Sequence, residues 1–194
     1  ERQRFEALGR TVYSHDETRF IMMHLIFTGV ESTFKSSLAK AIGDALSREV
    51  CGEYAREYLD ELDPKPSMHP FPKEHFEAIA QGQLLAQKNY GYYEEGQQIF
   101  DTDGLTLAIW GSDKFGVEDT QWLAPGGASF YLLCAPTNTY TEDKYRVDGR
   151  RREELHQKFM DLLEELGRPY LILREPIFED RLYEALRIIK ELGA

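Results

Sequence analysis

The sequence predicts an α/β protein, a parallel sheet covered by helices on both faces. Two observations point there. Apolar runs of strand length alternate along the chain with amphipathic segments of helix length, and the first such strand ends in a turn of small polar residues that opens the first helix. At 194 residues the chain has room for one complete domain with a substantial core.

Residues 1–20 are polar and weakly patterned. They read as an N-terminal arm, or as the junction with an upstream domain, since the chain begins with Glu1. The domain proper is expected over 21–194. Ile21–Phe27 is a continuous apolar run, as a parallel strand buried on both faces requires. Lys35–Arg48 places Leu38, Ile42, Ala45 and Leu46 on one helical face. Arg48–Cys51 is a short second strand, and Glu53–Leu59 a helix. Asp60–Pro72 carries four prolines and reads as a loop. Lys73–Tyr90 is helical, Gln97–Asp101 a strand ending in a carboxylate, and Gly104–Trp110 a helix. Ser129–Cys134 is a strand of apolar and aromatic residues. Arg151–Leu166 is a helix stopped by Gly167, Pro169–Leu173 a last strand, and Phe178–Leu192 a closing amphipathic helix.

Composition removes several function classes. The net charge of −11 argues against coating nucleic acid, which wants a basic surface. No apolar run reaches the roughly 20 residues of a membrane helix. Cys51 and Cys134 lie far apart and outside any CxxC frame, which fits a reducing cytoplasm better than a disulfide scaffold.

The chemistry gathers where strands end, the edge at which ligands bind in such sheets. Gly29–Ser36 has the frame G-x-x-x-x-G-K-[ST] with one change: Phe34 stands where the frame has glycine. In an intact frame, backbone amides and the helix N-terminus favour phosphate; Lys35 adds a charge, and the Ser36 hydroxyl suits magnesium. Gly29, Glu31, Ser32, Thr33, Phe34, Lys35, Ser36 and Ser37 are therefore candidate ATP-binding residues. A bulky residue held in the glycine conformation costs on the order of 1–3 kcal/mol, and its ring must either turn away from the anion or occupy its space.

Asp101 and Asp103 follow the third strand. Asp101 suits a magnesium-bound water, and Asp103 either faces an acceptor or merely caps the next helix. Glu53 and Arg56 sit at i, i+3, as a surface ion pair or as groups on the acceptor, with Glu53 then orienting or deprotonating a hydroxyl. Lys144, Arg146, Arg150, Arg151 and Arg152 form a basic cluster in an acidic chain, of which one or two would reach a transferring phosphoryl group. Trp110, Phe115, Trp122 and Tyr140 could stack a planar ring, although aromatics more often fill cores.

The ordered strings EYAREYL, HFEAIAQGQ, IFDTDGLT with Trp110 and FG, YLLCAPT, a D-x-x-R and RREELHQKF resemble the P-loop nicotinamide riboside kinase domain of bacterial NAD salvage, the NadR-type family, over roughly residues 21–192. The resemblance implies a three-layer P-loop NTPase fold, with a five-stranded parallel sheet and a lid of helix and loop. It implies ATP and Mg2+ as cofactors and a small-molecule nucleoside, phosphorylated at its ribosyl 5′-hydroxyl. On matching positions, Lys35 and Ser36 would serve ATP and magnesium, with Asp101 as magnesium partner. Arg56, Gln83, Asp103 and Trp110 would lie near the nucleoside, and Arg146 and Arg152 would belong to the lid. Two departures accompany Phe34: Val30 replaces a common proline, and a D-x-P-W string reads Thr137-Asn-Thr-Tyr140, which keeps an aromatic face at Tyr140. Two hypotheses follow, a small-molecule kinase and a nucleotide-binding pseudokinase crippled at Phe34. An upstream domain or a homo-oligomer stays open.

Overall fold

The structure is a computed structural model that describes residues 23–62, 71–94, 96–117, 120–123, 129–141, 146 and 148–193. The expected arm at 1–20 and Lys144 lie outside the described residues. Five strands make one parallel sheet: β1 (His24–Thr28), β2 (Val50–Cys51), β3 (Ile99–Asp101), β4 (Ser129–Cys134) and β5 (Tyr170–Leu173), in the order β2-β3-β1-β4-β5. Among the described residues six α-helices join them: α1 (Lys35–Leu46), α2 (Tyr54–Leu62), α3 (Lys73–Asn89), α4 (Gly104–Phe115), α5 (Arg152–Glu165) and α6 (Phe178–Glu191).

The three layers follow from strand alternation. Every residue of β1 is buried, because both faces are covered. Leu25 and Phe27 pack with Leu38 and Ile42 of α1 and Ile188 of α6, whereas Ile26 packs with Phe100, Tyr131 and Phe159 of α5. A third cluster, Leu59, Phe76, Ile79, Leu107 and Trp122, joins α2, α3 and α4 beyond the sheet. β1 sits centrally between β3 and β4, so its carboxyl end opens on the crevice where the strand order reverses.

Helix bounds differ from expectation at two points. α2 continues through Asp60–Leu62, where the proline-rich stretch predicts a loop; none of these three residues is a proline, so each keeps the amide a helix needs. α4 runs five residues beyond Trp110. Its continuation Gly-Ser-Asp-Lys reads as polar, but Gly111 lies under the Trp122 ring and Asp113 is nearly buried against α5 and its entry turn. Among the described residues no helix is long and apolar enough to cross a membrane.

The start of α4 is tightly enclosed: a Cβ on Gly104 would lie 1.8 Å from the Trp122 carbonyl oxygen, a backbone atom that cannot swing aside. Gly104→Ala is expected to lower the thermal unfolding midpoint by about 5 °C or more, from overpacking on the order of 1–3 kcal/mol. A circular-dichroism melt checks it.

Candidate active site

β1 ends at Thr28, and the chain turns back over the sheet through Gly29, whose φ of 126° brings it against β4. A Cβ there would lie 2.7 Å from the Cys134 carbonyl oxygen, so only glycine lets the loop pass. The turn closes through two left-handed residues, Ser32 at φ 56° and Phe34 at φ 68°. Three of its carbonyls find side-chain donors. The Val30 carbonyl accepts from the Thr33 hydroxyl and from Lys35 Nζ, both at 2.7 Å. The Ser32 carbonyl accepts from Asn138 Nδ2 at 2.8 Å and Arg152 Nη2 at 2.9 Å. The Thr33 carbonyl accepts from Arg181 Nη1 at 3.0 Å. With carbonyls held from behind, the loop amides and the N-terminus of α1 are what remains for an anion.

Phe34 takes the glycine conformation, and its ring packs on α6. It meets Phe178 edge-on at 5.7 Å between centroids, and the Arg181 guanidinium carbon lies 5.7 Å from its centroid. An edge-to-face pair contributes about 0.5–1.5 kcal/mol and a cation–π contact about 0.5–2 kcal/mol, enough to offset backbone strain of about 1–3 kcal/mol.

A cleft of about 440 Å³ opens over this loop. Gly29, Glu31, Ser32, Thr33, Phe34, Lys35, Ser36 and Ser37 form one wall, Glu53, Arg56 and Trp110 another, and Arg146 part of the lining with Thr141, whose carbonyl it donates to at 3.1 Å. Glu53 and Arg56 pair at 3.3 Å. An apolar recess of about 70 Å³ adjoins the cleft through Glu31, Phe71 and Trp110, walled by Phe76, Phe115 and Phe159.

Asp101 is 4 % exposed, hydrogen-bonded to Ser36, and its Oδ1 has no hydrogen-bond partner. Burial pushes its pKa up to about 6, with the Glu53 charge adding, while Ser36, Lys35 and Arg56 pull the other way. A buried acceptor left open beside a hydroxyl at a phosphate loop fits magnesium, which takes one or two protein ligands and completes its shell with water and phosphate. No cluster of three or more His, Cys, Asp or Glu among the described residues could cage a metal by itself.

Four expected site residues do other work. Asp103 is 1 % exposed and faces away from the cleft. It caps α4 by accepting from the Leu105 amide at 3.1 Å, and its Oδ2 accepts from Tyr92 and Tyr131 hydroxyls at 2.9 and 2.6 Å. Thr102, left-handed at φ 73°, breaks the strand alternation between the two aspartates, so they diverge. Gln83 is buried and accepts from the Tyr54 amide at 2.8 Å, satisfying a first-turn donor of α2. Tyr140 donates to Glu31 at 2.9 Å, and Arg152 braces Ser32 and Asn138 from beneath the loop. Within the basic cluster, Arg151 is held in a two-bond pair with Asp113, whose carboxyl it keeps well below the usual range.

Sequence reasoning missed Asn138, Phe178 and Arg181. Arg181 had a signal: it falls in phase with Ala185, Ile188 and Ile189 on the buried stripe of α6.

A family model described as an AAA domain matches residues 24–181. The fold is shared with NadR protein in complex with NAD and AMP-PNP, at TM-score 0.70 and 18 % identity over 90 % of this chain and 50 % of that one. NadR protein in complex with NR is similar at TM-score 0.68 and 20 % identity, over 91 % of this chain and 51 % of that one. The chain thus spans about half the length of these NadR structures. No curated protein sequence matches it.

Two outcomes follow from this geometry. With the ring seated on α6, Phe34→Gly is expected to change Mg-ATP affinity by less than about threefold in calorimetry; a gain of tenfold or more would place the ring in the anion's way. For Asp101, the folded pKa lies above the unfolded one, so its ionised form costs stability above about pH 6 and that cost is relieved as pH falls toward 4. Asp101→Asn should therefore raise the ligand-free melting midpoint at pH 7.5 by a few degrees and abolish magnesium-dependent stabilisation by ATP.

Proposed function

The chain belongs to that AAA-domain family, and from this premise we propose that it is a P-loop kinase, transferring the terminal phosphoryl group of Mg-ATP to the ribosyl 5′-hydroxyl of a small nucleoside, with nicotinamide riboside the favoured acceptor. The observation that carries this is the convergence of Lys35, Ser36 and Asp101 at the N-terminus of α1, with Glu53, Arg56 and Trp110 across the cleft. The NadR structures, one in complex with NAD and AMP-PNP and one with NR, support the choice of ligands.

The chain's own groups divide the work. Loop amides and the positive end of α1 bind the phosphates, and Lys35 leaves the Val30 carbonyl to lie against them. Ser36 and Asp101 would hold magnesium, which supplies charge neutralisation on the phosphate oxygens. Glu53 lines the same cleft as the loop, and its charge helps raise the Asp101 pKa, which supports a role for its carboxylate at the phosphate end. There it accepts a hydrogen bond from the acceptor hydroxyl, orients it for in-line attack, and takes its proton as the bond to phosphorus forms. Arg56 pairs with Glu53 and aims it, and Arg146 adds a cation to the site. The apolar recess beside Trp110 and Phe71 accommodates the edge of a planar base.

The rival, nucleotide binding without transfer, draws on the diversion of Arg152 and Tyr140 from the cleft to the loop. A coupled ADP-release assay over a nucleoside panel separates the two. The kinase reading expects turnover with nicotinamide riboside or a related nucleoside, reduced at least about a hundredfold by Lys35→Ala. Mg-ATP binding with no turnover on any nucleoside supports the rival.

A further inference from the structure

Arg181 is 0 % exposed and lies on the apolar stripe of α6. A guanidinium on that face is costly to bury and persists only where its nitrogens find acceptors. All three nitrogens donate: Nε to the Glu175 carbonyl at 2.5 Å, Nη1 to the Thr33 carbonyl at 3.0 Å, and Nη2 to the Thr137 hydroxyl at 2.5 Å. None of these partners carries a charge. Among the described residues the ion pairs do not include Arg181; Glu184, a nearby carboxylate on its own helix, accepts instead from the amides of Arg174 and Glu175. Burial lowers the Arg181 pKa more than nearby Glu184 and Glu175 raise it.

Arg152 repeats the arrangement one residue earlier in the loop. It is 7 % exposed, joins none of those ion pairs, and donates to the Ser32 carbonyl. Two buried guanidiniums therefore hold consecutive loop carbonyls. A trans peptide is planar, with its carbonyl and N–H pointing in opposite directions. Drawing the Thr33 carbonyl toward Arg181 turns the Phe34 amide to the opposite side, and drawing the Ser32 carbonyl toward Arg152 does the same for the Thr33 amide. A cation on the carbonyl also polarises the peptide and strengthens its N–H as a donor.

We propose that Arg181 is a positioning residue of the phosphate loop: through the Thr33 carbonyl it fixes the left-handed turn at Phe34, and its buried charge finds its counter-ion in the bound polyphosphate. Arg152 supports it through Ser32. This rests on the reading of the loop as a polyphosphate site and says how a loop lacking the glycine keeps its geometry. Phe34 then becomes part of the device, since its ring packs beside the guanidinium that holds the peptide before it.

The test is calorimetric titration of sodium tripolyphosphate, and separately of Mg-ATP, into the unaltered chain, Arg181→Met and Arg181→Lys, with ligand-free melting midpoints measured alongside. Arg181→Met should weaken both ligands by about tenfold or more, and Arg181→Lys, which keeps the charge, by less than about threefold. A merely structural arginine would lower the melting midpoint and leave the affinity of the folded protein unchanged, and that result overturns the inference. Should the methionine variant fail to fold, Arg181→Gln, which removes the charge and keeps a donor for Thr33, is read the same way. If the unaltered chain binds neither ligand, this inference and the kinase reading fall together. If it binds both and Arg181→Met weakens them, yet no nucleoside is phosphorylated, only the kinase reading falls.

Discussion

On the kinase reading, the backbone between Val30 and Lys35 must expose its amides to a ligand while its carbonyls, pointing the other way, must not go unpaired. This polar constraint organises the molecule around the cleft. Thr33 and Lys35 satisfy Val30 from within the loop; Asn138 and Arg152 satisfy Ser32 from the segment after β4 and the start of α5; Arg181 satisfies Thr33 from α6. Three parts of the chain far apart in sequence thus meet under six residues. Thr137 links them further, accepting from Arg181 and donating to the Arg174 carbonyl at the end of β5. The stretch 137–141 acts as a brace for the loop.

The same constraint explains how Phe34 is tolerated. A phenyl ring in the glycine position has two places to go, and the packing surface of α6 provides one outside the anion's space. The loop also carries an acid, Glu31, whose Oε1 accepts from the Tyr140 hydroxyl and the Asp148 amide. Its charge is thereby directed to the turn preceding α5, and the cations Lys35 and Arg146 remain on the cleft.

Much of this was legible in the sequence. Ser129–Cys134 is read with the bounds the structure shows, because an unbroken apolar and aromatic run buried on both faces leaves no ambiguity of period. The loop, Asp101 and the Glu53–Arg56 pair are found by their place at strand ends, a topological rule that does not depend on side-chain detail. Asp103, Gln83, Tyr140 and Arg152 were harder, since orientation decides their roles and spacing does not show it. Asp101 and Asp103 stand two apart and would share a face in any regular strand; one left-handed threonine sends them to different partners. The hydroxyls that hold Asp103 come from Tyr92 and Tyr131, on other elements, and long-range pairs of that kind leave no local pattern. Arg181 was visible as a charge on an apolar stripe, although its target was not.

On the proposed function, the loop with phenylalanine in the glycine position remains a working anion site, because its carbonyls are braced and its ring is anchored on α6. The most direct measurement is calorimetric titration of Mg-ATP into the unaltered protein. Binding with a dissociation constant on the order of micromolar, about −8 kcal/mol, is the predicted result. No detectable heat at millimolar Mg-ATP, with the protein shown to be folded, would contradict it.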